Sequence, residues 1–320
     1  MLFTRRDIGK IALGAAGAAK LAGAKPNSKF GGVQVGVITY SFRALPGGAR
    51  EILKYCLDCG ISGIELMSDA AESYAGSPAA PRRPGAGPRR GAATPEQKAA
   101  QQKAAEDLKQ WRLSVSMDKY KAFRKMYEDA GVKIYAFKLP PTLAMSDAEY
   151  EYIWNVAQAL GADHVTMELP TDDKLLERVA AYAAKRKLAI AFHTHGQGGA
   201  SGFDRVLSAS KYTALNFDVG HYFGVNGESP VPLVEKYHGR IASLHLKDRK
   251  SPASGDGPRG GGANMPWGQG GTPLKEVLQC MKRRKYKFPA SIEYEYNTPE
   301  GSDVLSEVKK CVEYCRQALA

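Results

Sequence analysis

The stretch LAIAFHTH (188–195) decides how this chain is read. Taken at the two-residue period of a strand, Ala189, Ala191, His193 and His195 share one face, and Leu188, Ile190 and Phe192 take the other. Four more runs repeat the pattern. In HVTMEL (164–169), Thr166 and Glu168 oppose Val165, Met167 and Leu169. In TALNFDVGH (213–221), Asn216 and Asp218 oppose Leu215, Phe217 and Val219. In IASLHLKD (241–248), Ser243, His245 and Lys247 oppose Ala242, Leu244 and Leu246, and in SIEYEY (291–296), Ser291, Glu293 and Glu295 oppose Ile292, Tyr294 and Tyr296. Each run carries an apolar segment into a carboxylate or an imidazole at its C-terminal end.

Three earlier runs, near Val33–Ser41, Ile61–Met67 and Val132–Leu139, bring the β-like segments to eight. Amphipathic helical stretches such as Glu151–Leu160 and Lys174–Lys185 lie between most of them. Strand–helix alternation of this kind means a parallel sheet, and eight units predict an α/β fold closed as a single (β/α)8 TIM barrel. A chain of 320 residues, 43% hydrophobic, is long enough for one such domain. Two insertions stand out. SDAAESYAGSPAAPRRPGAGPRRGAATPEQ (68–97) reads as a long low-complexity loop after the second strand, and SPASGDGPRGGGANMPWGQGG (251–271) as a Gly-rich loop after the seventh. Both leave from the C-terminal rim, where barrel enzymes work.

The amino terminus reads as an export signal over residues 1–24, leaving a barrel domain over 25–320. Thr4 to Lys10 resembles a twin-arginine pattern around Arg5 and Arg6, an apolar run follows from Ile11 to Ala19, and Ala22-Gly23-Ala24 offers a small-x-small cleavage site. A periplasmic location is therefore expected, with no stable membrane insertion, because that apolar run is too short to span a bilayer. The net charge of +12 falls by three without the signal, and four more basic residues, Arg82, Arg83, Arg89 and Arg90, sit in the first insertion. No basic stripe interleaves with aromatic residues, so a nucleic-acid partner is not expected. The five cysteines lack a zinc-ribbon or disulfide pattern.

Of six histidines, His193, His195, His221 and His245 gather at one predicted rim, beside Glu168, Asp218 and Glu293, while His164 and His238 fall at the other end. Mixed imidazole and carboxylate donors without cysteine fit a divalent cation, namely Mn, Mg, Co or Zn. The inward-facing groups that remain, Glu65, Lys138, His195, Lys247 and Glu295, are available for proton transfer and for substrate hydroxyls. A cation bound to a carbonyl and its neighbouring hydroxyl lowers the cost of forming an enediolate. Trp267 in the Gly-rich loop is expected against a substrate ring.

The motifs FDVGH (217–221), LHLKDR (244–249), PWGQG (266–270) and IEYE (292–295) resemble the xylose-isomerase-like TIM-barrel superfamily, the sugar phosphate isomerase/epimerase family, over nearly all of the chain after residue 32. The resemblance implies metal ligands on strands five to eight, of which Asp218, His245 and Glu293 match the last three. Where sugar epimerases of the superfamily have a strand-five glutamate, this chain has His193 within FHTH, similar to the inosose dehydratases; Glu168 or His193 supplies the first ligand. The resemblance further implies substrate contacts for His221 and Arg249, and proton exchange by Glu293. It points to a metal-dependent isomerase or epimerase of a small sugar or keto-sugar, with a lyase or dehydratase of a keto-sugar, keto-glycoside or inosose as the alternative. An apurinic endonuclease is disfavoured, because Glu65 and Lys138 stand where that class brings histidines. Retention of Asp218, His245 and Glu293 together also speaks against a non-catalytic sugar-binding protein.

Overall fold

Eight parallel strands follow one another around a closed sheet in sequence order: β1 (Val33–Ile38), β2 (Gly63–Met67), β3 (Lys133–Lys138), β4 (His164–Glu168), β5 (Ala189–His193), β6 (Thr213–Asp218), β7 (Ile241–Leu246) and β8 (Ala290–Ile292). Closure is made by β8 pairing β1, Val35 opposite Ala290 and Val37 opposite Ile292. The structure, a computed structural model, describes residues 25–79, 94–257 and 261–320. The expected signal segment and the four arginines between 82 and 90 lie outside the described residues. Lys29–Phe30 precedes the barrel as a short antiparallel strand on β1, turned by Gly31 and Gly32 at positive φ.

The apolar parity of each strand meets the surrounding helices. Val35, Val37, Val165, Ile190, Phe192, Leu215, Phe217, Leu244 and Leu246 are buried there in one continuous core. The other parity fills the barrel axis, and its floor is polar. His164 and Ser243 lie 3.0 Å apart, and Tyr135 bonds Ser291. Tyr135 reaches the axis because the β2–β3 register shifts between Ile64 and Glu65, and because Gly36 and Gly63 leave room for its ring; a Cβ at Gly36 would come within 2.4 Å of the phenol oxygen.

Local chemistry moves several boundaries away from the sequence reading. The run expected to continue as a strand to His221 ends at Asp218, and Val219–Asn226 is a helix. Asp218 is its N-cap: Oδ1 accepts from the His221 backbone N–H at 2.7 Å, which starts the helix as soon as the strand stops. The eighth strand ends at Ile292, because Ser41 Oγ takes over the next backbone partners, donating to Ile292 O and accepting from the Tyr294 N–H. The first insertion is not loop throughout. Ser68–Ala75 is helical, buries Ala70, Ala71 and Ala75, and ends at Gly76 with φ +92°; Pro95–Ser114 is a long helix begun by a Thr94/Gln97 capping box. Glu72 and Arg112 pair at 2.8 Å and tie the two helices together.

The five cysteines are free and buried. Burial pushes the Cys56, Cys311 and Cys315 thiols up, as suits packing groups rather than nucleophiles.

Candidate metal centre and its cleft

Strand register brings the rim residues together. Glu168 pairs with His193, Asp218 with His245, and His245 with Ser291, one turn of the pleat below Glu293. As a result one donor atom from each of His193, Asp218, His245 and Glu293 lies within 4.8 Å of all the others, and all four side chains are buried. Two imidazoles and two carboxylates form a donor set suited to a divalent cation. Asp218 Oδ2 provides the fit test: it is buried and accepts no hydrogen bond, although Lys247 Nζ stands 3.2 Å away without bonding alignment. An ionised carboxylate oxygen left so is costly unless a cation meets it.

The charges around the set are strongly coupled. Burial raises Asp218 to about 6 against the pull of Lys247. Burial also opposes charge on His245, but Glu65 and Glu293, 2.7 and 2.8 Å from its two nitrogens, overcome it and push it up to about 10. Glu293 is held well below the usual carboxylate range despite its burial, by Lys247 and His245. His193, buried and facing Lys138 and His245, is held neutral.

His193, His195 and His221 form a second set with donor atoms within 4.8 Å of one another. It suits a cation less well, because the two nitrogens of His221 already face Lys247 Nζ at 2.8 Å and Arg249 NH1 at 3.0 Å. Burial and these two cations drive its pKa far down.

The remaining rim groups make two clusters. On one, Glu168 lies 2.9 Å from Lys138 Nζ and 2.7 Å from His195 Nε2; although burial opposes it, these partners keep the carboxylate ionised well below its usual range. On the other, Lys247 lies 2.6 Å from Glu295 and 3.1 Å from Glu293, and these carboxylates with Asp218 raise it despite complete burial. Between them opens a cleft of about 240 Å³ lined by His195, Gly196, His221, Val225, Arg249, Asn264 and Glu295.

Arg249 is 1% exposed, a buried guanidinium just past the end of β7. Its Nε and NH2 both donate to Gly262 O, and Gly224 and Gly261 make the space: a Cβ at either would fall within 3.0 Å of the guanidinium. The neighbouring Asp248 organises the rest of the Gly-rich loop, accepting from the backbone N–H groups of Gly268, Gly270 and Thr272. Sequence reading missed Asp248; its signal was an acid followed by a Gly-rich segment full of free N–H donors.

A family model described as Xylose isomerase-like TIM barrel matches residues 98–314. The chain belongs to that family. It is 26% identical over 157 residues to an inosose dehydratase of Clostridium botulinum, a match covering 44% of this chain and 52% of that protein, so the chain spans about half the length of the curated relative it matches. Among solved structures, a xylose isomerase domain protein of Alicyclobacillus acidocaldarius superposes with TM-score 0.61 at 15% identity, covering 89% of this chain and 99% of that one. The 3-keto-D-glucoside 4-epimerase YcjR of E. coli superposes with TM-score 0.57 at 10% identity, covering 89% and 99%. At these identities the structural likenesses speak for the fold alone. Among the described residues no helix is long and apolar enough to cross a membrane.

Within this barrel the two candidates for the first ligand separate. His193 is in the four-residue set, whereas Glu168 is turned into its pairs with Lys138 and His195. Two expected substrate contacts lie elsewhere. Glu65 is fully buried beneath the four-residue donor set, its oxygens taken by Thr166, Asn216 and His245. Trp267 packs edge-on against Tyr314 of the last helix at 5.6 Å and lines an outer groove with Gln269 and Lys310. The hold of Asp248 on Gly268 and Gly270 fixes the loop around it in that position.

Proposed function

We propose that the protein is a divalent-metal-dependent isomerase or epimerase of a small sugar or keto-sugar. One observation carries the reading: the donor set of His193, Asp218, His245 and Glu293 adjoins a cleft with separate proton-carrying clusters, His195–Glu168–Lys138 and Lys247–Glu295–His221. A divalent cation held by the set supplies Lewis-acid polarisation of a carbonyl oxygen and its neighbouring hydroxyl. Moving a proton between adjacent carbons, or between the faces of one carbon, then needs one group that accepts it and another that returns it. His195 accepts it at Nδ1, the nitrogen left free while Nε2 faces Glu168 at 2.7 Å. The Lys247 ammonium, 2.6 Å from Glu295, returns a proton from the other cluster. Arg249 and His221 line the cleft and hold substrate hydroxyls.

A dehydratase reading is favoured by one specific feature, an imidazole rather than a carboxylate on β5, together with the likeness to inosose dehydratase. There the Lys247 ammonium would protonate a departing hydroxyl while a single base removes the proton.

Two measurements test these readings. Metal analysis of the purified protein beside Asp218→Ala and His245→Ala should show stoichiometric metal lost in both variants; unchanged metal in both removes the site. NMR of candidate sugars incubated in heavy water should show deuterium entering one carbon with all carbons and oxygens retained for an isomerase, and loss of water or of an aglycone for a lyase.

We also propose export by the twin-arginine route, supported by Arg5, Arg6 and the apolar run that follows. Replacing both arginines with lysine should leave the protein in the cytoplasm of an expressing bacterium; unaltered export would refute the route.

A further inference from the structure

Glu65 is a fully buried carboxylate with no lysine or arginine in a salt bridge to it among the described residues. Its hydrogen-bond partners are Thr166 Oγ1 at 2.7 Å on Oε1, and Asn216 Nδ2 at 2.8 Å and His245 Nε2 at 2.7 Å on Oε2. Leaving a charge this deep costs several kcal/mol unless its neighbours are arranged for it. The arrangement has a direction. A carboxylate only accepts, so His245 must carry its proton on Nε2, and Asn216 must turn its amide nitrogen toward Glu65. The carbonyl Oδ1 of Asn216 then faces His193 Nδ1 at 3.4 Å and accepts from it. What remains on each ring is the nitrogen on the ligand side: His245 Nδ1, 2.8 Å from Glu293, and His193 Nε2, 4.0 Å from Asp218 Oδ2.

We infer that Glu65 is the positioning residue of the cation site, setting the tautomers of both imidazole ligands at once, His245 directly and His193 through Asn216. The inference rests on the reading of the four-residue set as a divalent-cation site. It gives a physical reason for a buried carboxylate in the middle of β2: by holding the proton on His245 Nε2 and, through Asn216, on His193 Nδ1, it leaves His193 Nε2 and, once its proton is displaced, His245 Nδ1 as the nitrogens that meet a cation. Carboxylates behind metal-binding histidines characteristically tighten the site by such orientation.

The test uses Zn²⁺ alone as probe and the full chain, in wild type, Glu65→Gln and Thr166→Val. Glu65→Gln lets the amide rotate and breaks the acceptor-only rule; Thr166→Val removes one bond to the carboxylate without burying a new polar group. Competition against a fluorescent chelator should show Zn²⁺ affinity falling about 10- to 100-fold in Glu65→Gln and by a smaller factor in Thr166→Val. Nitrogen-15 NMR of the histidine rings supplies a readout that a merely structural role would not move. Metal-free wild type should have His193 protonated on Nδ1, and Glu65→Gln should show a tautomer mixture. Unchanged affinity in a folded Glu65→Gln protein, or His193 protonated on Nε2 in wild type, overturns the inference. Should wild type take up no Zn²⁺, the cation-site reading falls, while the His193 tautomer in metal-free protein still decides whether Glu65 sets it.

Discussion

Glu168 and His193 sit side by side in register on β4 and β5, yet only His193 joins the four-residue donor set; Glu168 lies beside Lys138 at 2.9 Å and His195 at 2.7 Å. Their substitutions should therefore separate cleanly. His193→Ala is expected to lose bound metal. Glu168→Gln should keep it and lower kcat/KM by roughly 10²- to 10⁴-fold, the usual contribution of a positioned acid–base group. Metal content and turnover measured on the same preparations check both.

Asp218 serves two purposes that different side chains can divide. Asparagine caps helices about as well as aspartate, whereas alanine does not. Asp218→Asn should keep the start of the Val219–Asn226 helix and lose the metal, while Asp218→Ala should lose the metal and a further ~1 kcal/mol of stability from the cap. Chemical denaturation of the metal-free variants, set beside their metal content, reads the two effects apart.

The strand alternation that made the barrel legible also made most of the candidate site legible, because parity alone puts His193, Asp218, His245 and Glu293 on the axis side. Parity does not give depth. Glu65 and Lys138 share the inward face, but the register shift at Ile64/Glu65 helps to set their heights, and Glu65 ends under the ligands while Lys138 reaches Glu168. Strand ends were also out of reach, since they depend on side chains such as Asp218 and Ser41 competing for backbone partners. Trp267 lies in a loop with no period to read, and its position follows from three backbone bonds to one acid.

His164 on the barrel floor gives a pH dependence of stability. Burial lowers its pKa from 6.5 to about 4, although Glu65 pulls the other way. The depressed value means that the unfolded chain binds a proton which the folded barrel refuses. The folded state is unaffected above pH 6.5, loses stability as pH falls from 6.5 toward 4, and carries the full penalty below that, on the order of 3 kcal/mol. His164→Gln should remove this part of the slope. Urea midpoints at pH 7, 5.5 and 4.5 for both proteins check it, and parallel slopes would assign the acid sensitivity elsewhere.

Asp248 holds the Gly-rich loop by three backbone N–H groups, on Gly268 at 2.8 Å, Gly270 at 2.9 Å and Thr272 at 3.1 Å, and a Cβ at Gly270 would fall 2.2 Å from its Oδ1. An asparagine in its place presents an amide NH₂ to at least one of those donors, leaving a buried N–H unsatisfied at a cost of about 1–3 kcal/mol. The loss should be local, because the bonds are confined to the segment that reaches from Asn264 in the cleft to Thr272. Hydrogen exchange in Asp248→Asn is thus expected to rise across residues 264–272 while the strands stay protected. Arg249, whose own backbone N–H is held by Thr272 Oγ1 at 3.0 Å, should lose orientation with the loop. In the assay that identifies the substrate, this would appear as a raised KM with the metal content intact. Unaltered exchange in the loop would mean that the glycines, and not the carboxylate, fix its path.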